Sequence, residues 1–120
     1  MSEQFIQIQI SQVFRQNLKI LAKKNPNIQK DVQPIVEQLA RGEALGDRVT
    51  GIGYEVFKLR VRNSSSKKGK SRGYRVIYYV KTVDLIILLS IYSKSEQADI
   101  VTNQIRAIIA KYDEQTDRNK

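Results

Sequence analysis

Residues 57–62 read Phe-Lys-Leu-Arg-Val-Arg, an uninterrupted alternation of apolar and cationic side chains. An extended strand sends successive side chains to opposite faces. It therefore gathers Phe57, Leu59 and Val61 on one side and Lys58, Arg60 and Arg62 on the other, whereas a helix would scatter both sets. The chain must build a sheet whose surface here is greasy on one face and cationic on the other. Every other segment has to cover the first without cancelling the second.

The segments that do the covering are legible from periodicity. Phe5 to Ile10 places Ile6, Ile8 and Ile10 on one face against glutamines, the pattern of a half-buried strand. Ser11 is placed to cap a helix with Phe14, Leu18 and Leu21 inward and Arg15, Lys19 and Lys23 outward, stopped at Asn25-Pro26-Asn27. Asp31 is expected to cap a second helix, with Pro34 in its first turn, the stripe Val32, Ile35, Val36, Leu39 and Ala40, and Gly42 as the stop. The short connection makes the two helices a hairpin. Gly42 to Gly53 is expected to be irregular. Two further strands, Tyr74 to Lys81 and Leu85 to Tyr92, form a hairpin across Thr82-Val83-Asp84. The second is apolar on both faces and suits a central strand covered on both sides. Ser95 is expected to cap a last helix, with Glu96 and Asp99 near its N-terminus and the stripe Val101, Ile105, Ile108 and Tyr112. The expected order is β-α-α-β-β-β-α, an α+β fold with a mostly antiparallel four-stranded sheet. A single domain spans 1–120, with a frayed polar tail over 113–120.

Lys and Arg number 21 against 12 Asp and Glu, a net charge of +9, which points to an anionic partner. Cysteine and histidine are both absent. Disulfides, zinc sites, catalytic triads and imidazole-based ribonuclease chemistry fail together. Scattered carboxylates make a two-metal nuclease cluster a poor fit, so no metal or cofactor is expected. Gly51-Ile52-Gly53 is too short for a phosphate-binding loop and fits a turn. The opening residues lack a basic signal-peptide start, and Leu85 to Leu89, the longest apolar run, is far below the ~20 residues of a membrane span. The expectation is a cytoplasmic protein with no membrane partner.

Between Tyr54 and Lys81 lie Lys58, Arg60, Arg62, Lys67, Lys68, Lys70, Arg72, Arg75 and Lys81, opposed only by Glu55. Cations every second residue repeat at roughly 6.6–6.8 Å, close to the phosphate spacing of a nucleic-acid strand. Exposed faces usually mix signs, so a merely solubilising edge explains this concentration less well than an RNA surface does. Tyr54, Tyr74, Tyr79 and Tyr92 flank the basic positions as candidates for stacking on unpaired bases or donating a phenolic proton, while Tyr78 shares a face with Val76 and Val80 and reads as core. RNA cleavage by such a set would use lysine and arginine to hold the phosphate and stabilise its added charge, with the substrate 2′-hydroxyl as nucleophile.

Phe57 to Arg62, Gly73-Tyr74-Arg75-Val76-Ile77-Tyr78-Tyr79 and Leu89-Ser90-Ile91-Tyr92-Ser93-Lys94, preceded by Gly42 to Arg48 and Gly51-Ile52-Gly53, together resemble the RelE/ParE superfamily of bacterial toxins. The branch most similar is the RelE/HigB type, with a long basic loop before the Gly-Tyr-Arg strand. The resemblance implies a ribosome-dependent mRNA endonuclease acting at the A site of the small subunit and held inactive by a cognate antitoxin. It implies strand contacts to RNA from Lys58, Arg60 and Arg62, phosphate stabilisation by Arg75, and Lys94 where the family often carries an arginine. Lys67, Lys68, Lys70, Arg72 and Tyr74 join as RNA- or ribosome-binding positions. Two departures stand out. Ile100 lies near the position of RelE's C-terminal tyrosine, leaving Tyr92 or Tyr74 as substitutes or a weaker acid/base contribution. Relatives that use Glu or His as the base have no counterpart here. Two other readings of the same surface are a ParE-like DNA gyrase inhibitor and a non-catalytic RNA- or ribosome-binding module.

Overall fold

The structure, a computed structural model, describes residues 5–64, 73–97 and 99–118. Its elements are β1 (Gln7–Ile10), α1 (Gln12–Lys24), α2 (Ile28–Ala40), β2 (Asp47–Arg48), β3 (Val56–Val61), β4 (Tyr74–Thr82), β5 (Leu85–Ser93) and α3 (Thr102–Arg118). The class is α+β, as the patterning requires. The sheet has five strands rather than four, in the order β1-β5-β4-β3-β2. β1 runs parallel to β5, and every other pairing is antiparallel.

The additional strand, β2, comes from the stretch expected to be irregular. Two residues carry no periodicity, so only its pairing reveals it: Asp47 faces Lys58 and Arg48 faces Phe57. Gly46 makes the approach possible. Its φ is +80°, and a Cβ there would lie 2.4 Å from the Lys58 carbonyl oxygen.

Two layers of helix cover the two faces. Ser11 caps α1 as its position requires, accepting from the Phe14 N–H at 2.9 Å and donating to the Leu89 carbonyl at 2.7 Å. α1 and α2 bury Phe14, Leu21, Ile28, Val32 and Leu39 against Leu59, Val61, Tyr74, Val76, Tyr78, Leu88 and Ile91. α2 starts four residues earlier than expected, with Asn27 rather than Asp31 at its N-cap, because fully buried Ile28 draws the preceding turn into the core. Pro34 is consequently an interior residue of the helix and not part of its first turn. Gly42 does end it: with φ +88°, its N–H reaches the Leu39 carbonyl while Glu43 N–H reaches Gln38, closing the last turn.

On the opposite face α3 buries Ile105 and Ile109 against Val56, Ile77, Tyr79, Ile87 and Leu89. It begins at Thr102, so Ser95 is not its cap and Val101 is an exposed residue before it. Ile105 and Ile109, one turn apart, are the fully buried pair, with Ile108 and Tyr112 half-buried beside them. The helix also continues through 113–118, where a frayed tail was expected. Asp113 takes an ion pair from Lys81 at 3.0 Å, and Gln115 bonds Gln12 across the fold. Gly51-Ile52-Gly53 is a turn. Ile52 is buried, and the Gly51 and Ile52 carbonyls accept from the Arg106 guanidinium.

Candidate nucleic-acid interface

β3 has the two surfaces its alternation demands. Phe57, Leu59 and Val61 join the core beneath the helical hairpin, which leaves Lys58 and Arg60 on the α3 face. Antiparallel pairing then sets a row across three strands. Arg60 lies directly opposite Arg75, and Arg75 directly opposite Tyr92. The β4–β5 ladder that sets this row carries two register shifts, between Ile77 and Tyr78 and between Val80 and Thr82. The two shifts cancel, so the hairpin-end pair Thr82–Leu85 and the pair Arg75–Tyr92 share one register, with only Tyr78 to Val80 displaced between them.

The members differ sharply in exposure. Arg60 is exposed, while Arg75 is 5% exposed and Tyr92 6%. The Arg75 Nη1 donates to the Tyr74 carbonyl at 3.2 Å, fixing the guanidinium. Arg75 is therefore not the exposed surface charge that a position in a cationic loop-strand segment suggests: it lies on β4, the middle strand of the five, and is buried there. Like charges directly opposite one another destabilise a sheet.

Asp99 completes the cluster and is the residue that sequence reading misplaced. It lies in the connection between β5 and α3, not inside the helix. Its Oδ1 accepts the Tyr92 hydroxyl at 3.0 Å, and both carboxylate oxygens lie 3.3 Å from Lys58 Nζ. β4 separates the strands of Lys58 and Tyr92, so the carboxylate bridges across it. Burial by itself would push the Asp99 carboxyl up. Hydrogen bonds from the Ile100 N–H, the Tyr92 hydroxyl and the Lys58 ammonium outweigh that and hold it below the usual range. Tyr92 moves the other way, to about 12, raised by burial, then by its hydrogen bond to Asp99 and the charge of that carboxylate, with Arg75 opposing. Tyr92 is accordingly protonated at neutral pH and is no general base there.

The other expected positions divide. Arg62 is exposed just past β3. Lys94 follows β5, half-buried, with its N–H on the Gly73 carbonyl at 3.0 Å, at the same end of the sheet as the row. Lys67, Lys68, Lys70 and Arg72 lie outside the described residues. Tyr74 is corrected: it faces the helical hairpin, is fully buried, and is not placed to stack on a base. Its hydroxyl has no hydrogen-bond partner among the described residues, and burial, followed by the charge of Asp31, raises its pKa to about 12. Tyr79 is buried, edge-on to Tyr54 with centroids 5.5 Å apart, so only Tyr54 of that pair is exposed. Tyr78 is core, as read, and its hydroxyl donates to the Leu45 carbonyl.

Among the described residues no helix is long and apolar enough to cross a membrane. The chain matches no family model.

Proposed function

We propose that this protein is a toxin of the RelE/ParE type: an endoribonuclease that cuts mRNA on the ribosome without a metal and is neutralised by a cognate antitoxin. The observation that carries the reading is the row Arg60–Arg75–Tyr92, with a buried arginine held between an exposed arginine and a protonated tyrosine. In this reading the scissile phosphate rests on Arg60 and Arg75, with Lys58 beside them. The 2′-hydroxyl attacks phosphorus and loses its proton to solvent, and the P–O5′ bond breaks. Tyr92 gives its proton to the departing 5′ oxygen and regains one from water. The products are a 2′,3′-cyclic phosphate and a 5′-hydroxyl. The two guanidinium groups meet the charge added to the phosphoryl oxygens in the transition state, where fixed donors are worth most. Arg62 and Lys94 extend the contact along the RNA and the small subunit.

The test is induction in cells lacking antitoxin, followed by mapping of mRNA 5′ ends, with the reporter translated or blocked. Cuts in phase with codons that need translation and Arg60 are expected. DNA damage without cuts would identify a gyrase inhibitor instead and sink the nuclease reading. A non-catalytic RNA- or ribosome-binding module is the second reading. Its particular support is that the Tyr92 hydroxyl is already engaged by Asp99. It predicts salt-sensitive RNA affinity with no cleavage.

A further inference from the structure

The cationic face carries its own anion. Asp99 is anchored to the sheet by two distant partners, Lys58 across 41 residues and the Tyr92 hydroxyl across 7. Its other bonds, from the Ile100 N–H to the carboxylate and from Gln97 Nε2 to the backbone carbonyl, are local and travel with the segment. Asp99 itself belongs to neither β5 nor α3, and no helical or ladder hydrogen bond is made by its backbone among the described residues. The carboxylate side chain is 57% exposed and the Lys58 side chain 37%. An ion pair of that exposure at 3.3 Å is weakly held and readily exchanged. One singly charged group bridges β3 and β5 over the strand that carries Arg75, the place the reading above gives to a singly charged phosphodiester.

We propose that Asp99 is a resident counter-ion standing in for an RNA phosphate, and that RNA displaces it from Lys58 on binding. This rests on the reading of the row as a phosphate site. In the free protein Asp99 neutralises Lys58 and lowers the attraction of the face for stray anions. A single phosphate or nucleotide at lower concentration competes poorly with an intramolecular carboxylate, whose effective concentration is of order mM. A polynucleotide anchored on Arg60 and Arg62 as well competes better, because its phosphate is delivered to Lys58 intramolecularly in turn. The device selects extended RNA over mononucleotides.

Binding of a 2′-O-methyl RNA oligonucleotide, which cannot be cut, tests this by fluorescence anisotropy across a range of salt. Asp99→Asn keeps an oxygen acceptor for Tyr92 and Ile100 but removes the charge; Asp99→Ala removes both. Each is expected to tighten the oligonucleotide about 3- to 10-fold with little change in salt slope, because Lys58 meets a phosphate in the bound parent and variants alike. Lys58→Gln, by contrast, should flatten the slope by about 0.7, the increment for one phosphate contact on a single strand. In a Lys58→Gln background, neither substitution should alter affinity. Thermal melts of every variant confirm that the folded protein is being measured. Binding that depends on Lys58 but is unchanged or weakened in both Asp99 variants would overturn the counter-ion while leaving the phosphate site standing. Tightening in Asp99→Asn only would make Asp99 a positioning residue for Tyr92 and overturn displacement. Oligonucleotide affinity indifferent to Lys58 and Arg60 would overturn the phosphate site, and the counter-ion with it.

Discussion

Arg75 is the residue for which sequence and structure make opposite forecasts about stability. Were it exposed, Arg75→Ala would cost almost nothing. At 5% exposure the substitution removes two buried methylenes of the stem, about 1.6 kcal/mol, and the hydrogen bond to the Tyr74 carbonyl, about 1 kcal/mol. Relief of the like charge at Arg60, directly opposite, returns up to about 1 kcal/mol. The net loss is about 1.5 kcal/mol. For 120 residues the entropy of unfolding is about 250 cal/mol/K, so the melting temperature should fall by about 6 °C. Arg75→Lys separates this from chemistry. It keeps a stem and a charge and should melt within about 2 °C of the parent, yet it exchanges a planar fork for a point charge. Ribosome-coupled cleavage should then fall about 100-fold, the cost of losing an oriented donor to a transition-state oxygen. The paired assay is calorimetry or a circular-dichroism melt beside primer-extension mapping of cut mRNA. Arg75→Lys cutting within threefold of the parent would refute the placement of Arg75 on the phosphate. Arg75→Ala melting unchanged would refute the burial argument.

Tyr74→Phe should stabilise the fold by about 1 kcal/mol, since the buried hydroxyl has no partner among the described residues, and should leave oligonucleotide binding untouched; urea unfolding and anisotropy read the two effects. Ser11→Ala loses both the α1 cap and the bond to the Leu89 carbonyl and should cost about 2 kcal/mol in the same urea assay. Gly46→Ala drives a Cβ into the Lys58 carbonyl at a backbone angle L-residues avoid, so hydrogen exchange should show β2 released from β3 before any global loss. With pH, Tyr74 and Tyr92 are both raised to about 12 against 10 for an unperturbed phenol. Their contribution is complete below pH 10 and lost as pH rises from 10 through 12, and Tyr92→Phe should flatten that alkaline limb. Asp99 has the opposite sign: its depressed carboxyl supports the fold above about pH 3.8 and ceases to as pH falls through its lower folded value. Its exposure keeps the effect small, and the Asp99→Asn melt at pH 3 against pH 7 measures it.

What the sequence determines by itself is everything decided within one element. Period-two alternation fixes which face of β3 carries Lys58 and Arg60. Double-sided apolarity fixes β5 as a strand covered on both faces. Ser11 before an amphipathic run and Gly42 after one fix the ends of α1 and α2. Each depends on residues a few positions apart, where backbone geometry leaves little choice. Tertiary structure decided the rest. Two-residue β2 exists because Gly46 lets it approach β3, and a strand that short leaves no pattern. Ile28, buried to completion, moved the start of α2 and carried Pro34 into its interior. The exposure of Arg75 follows from the position of β4 in the sheet, which alternation does not encode. Arg60, Arg75 and Tyr92 become a row only through the cross-strand register of β3, β4 and β5. Asp99 reaches Lys58 across 41 residues, a contact with no local signature. Local periodicity sets which way a side chain points; which charges then meet depends on pairing between strands distant in sequence, and that is settled only when the sheet closes.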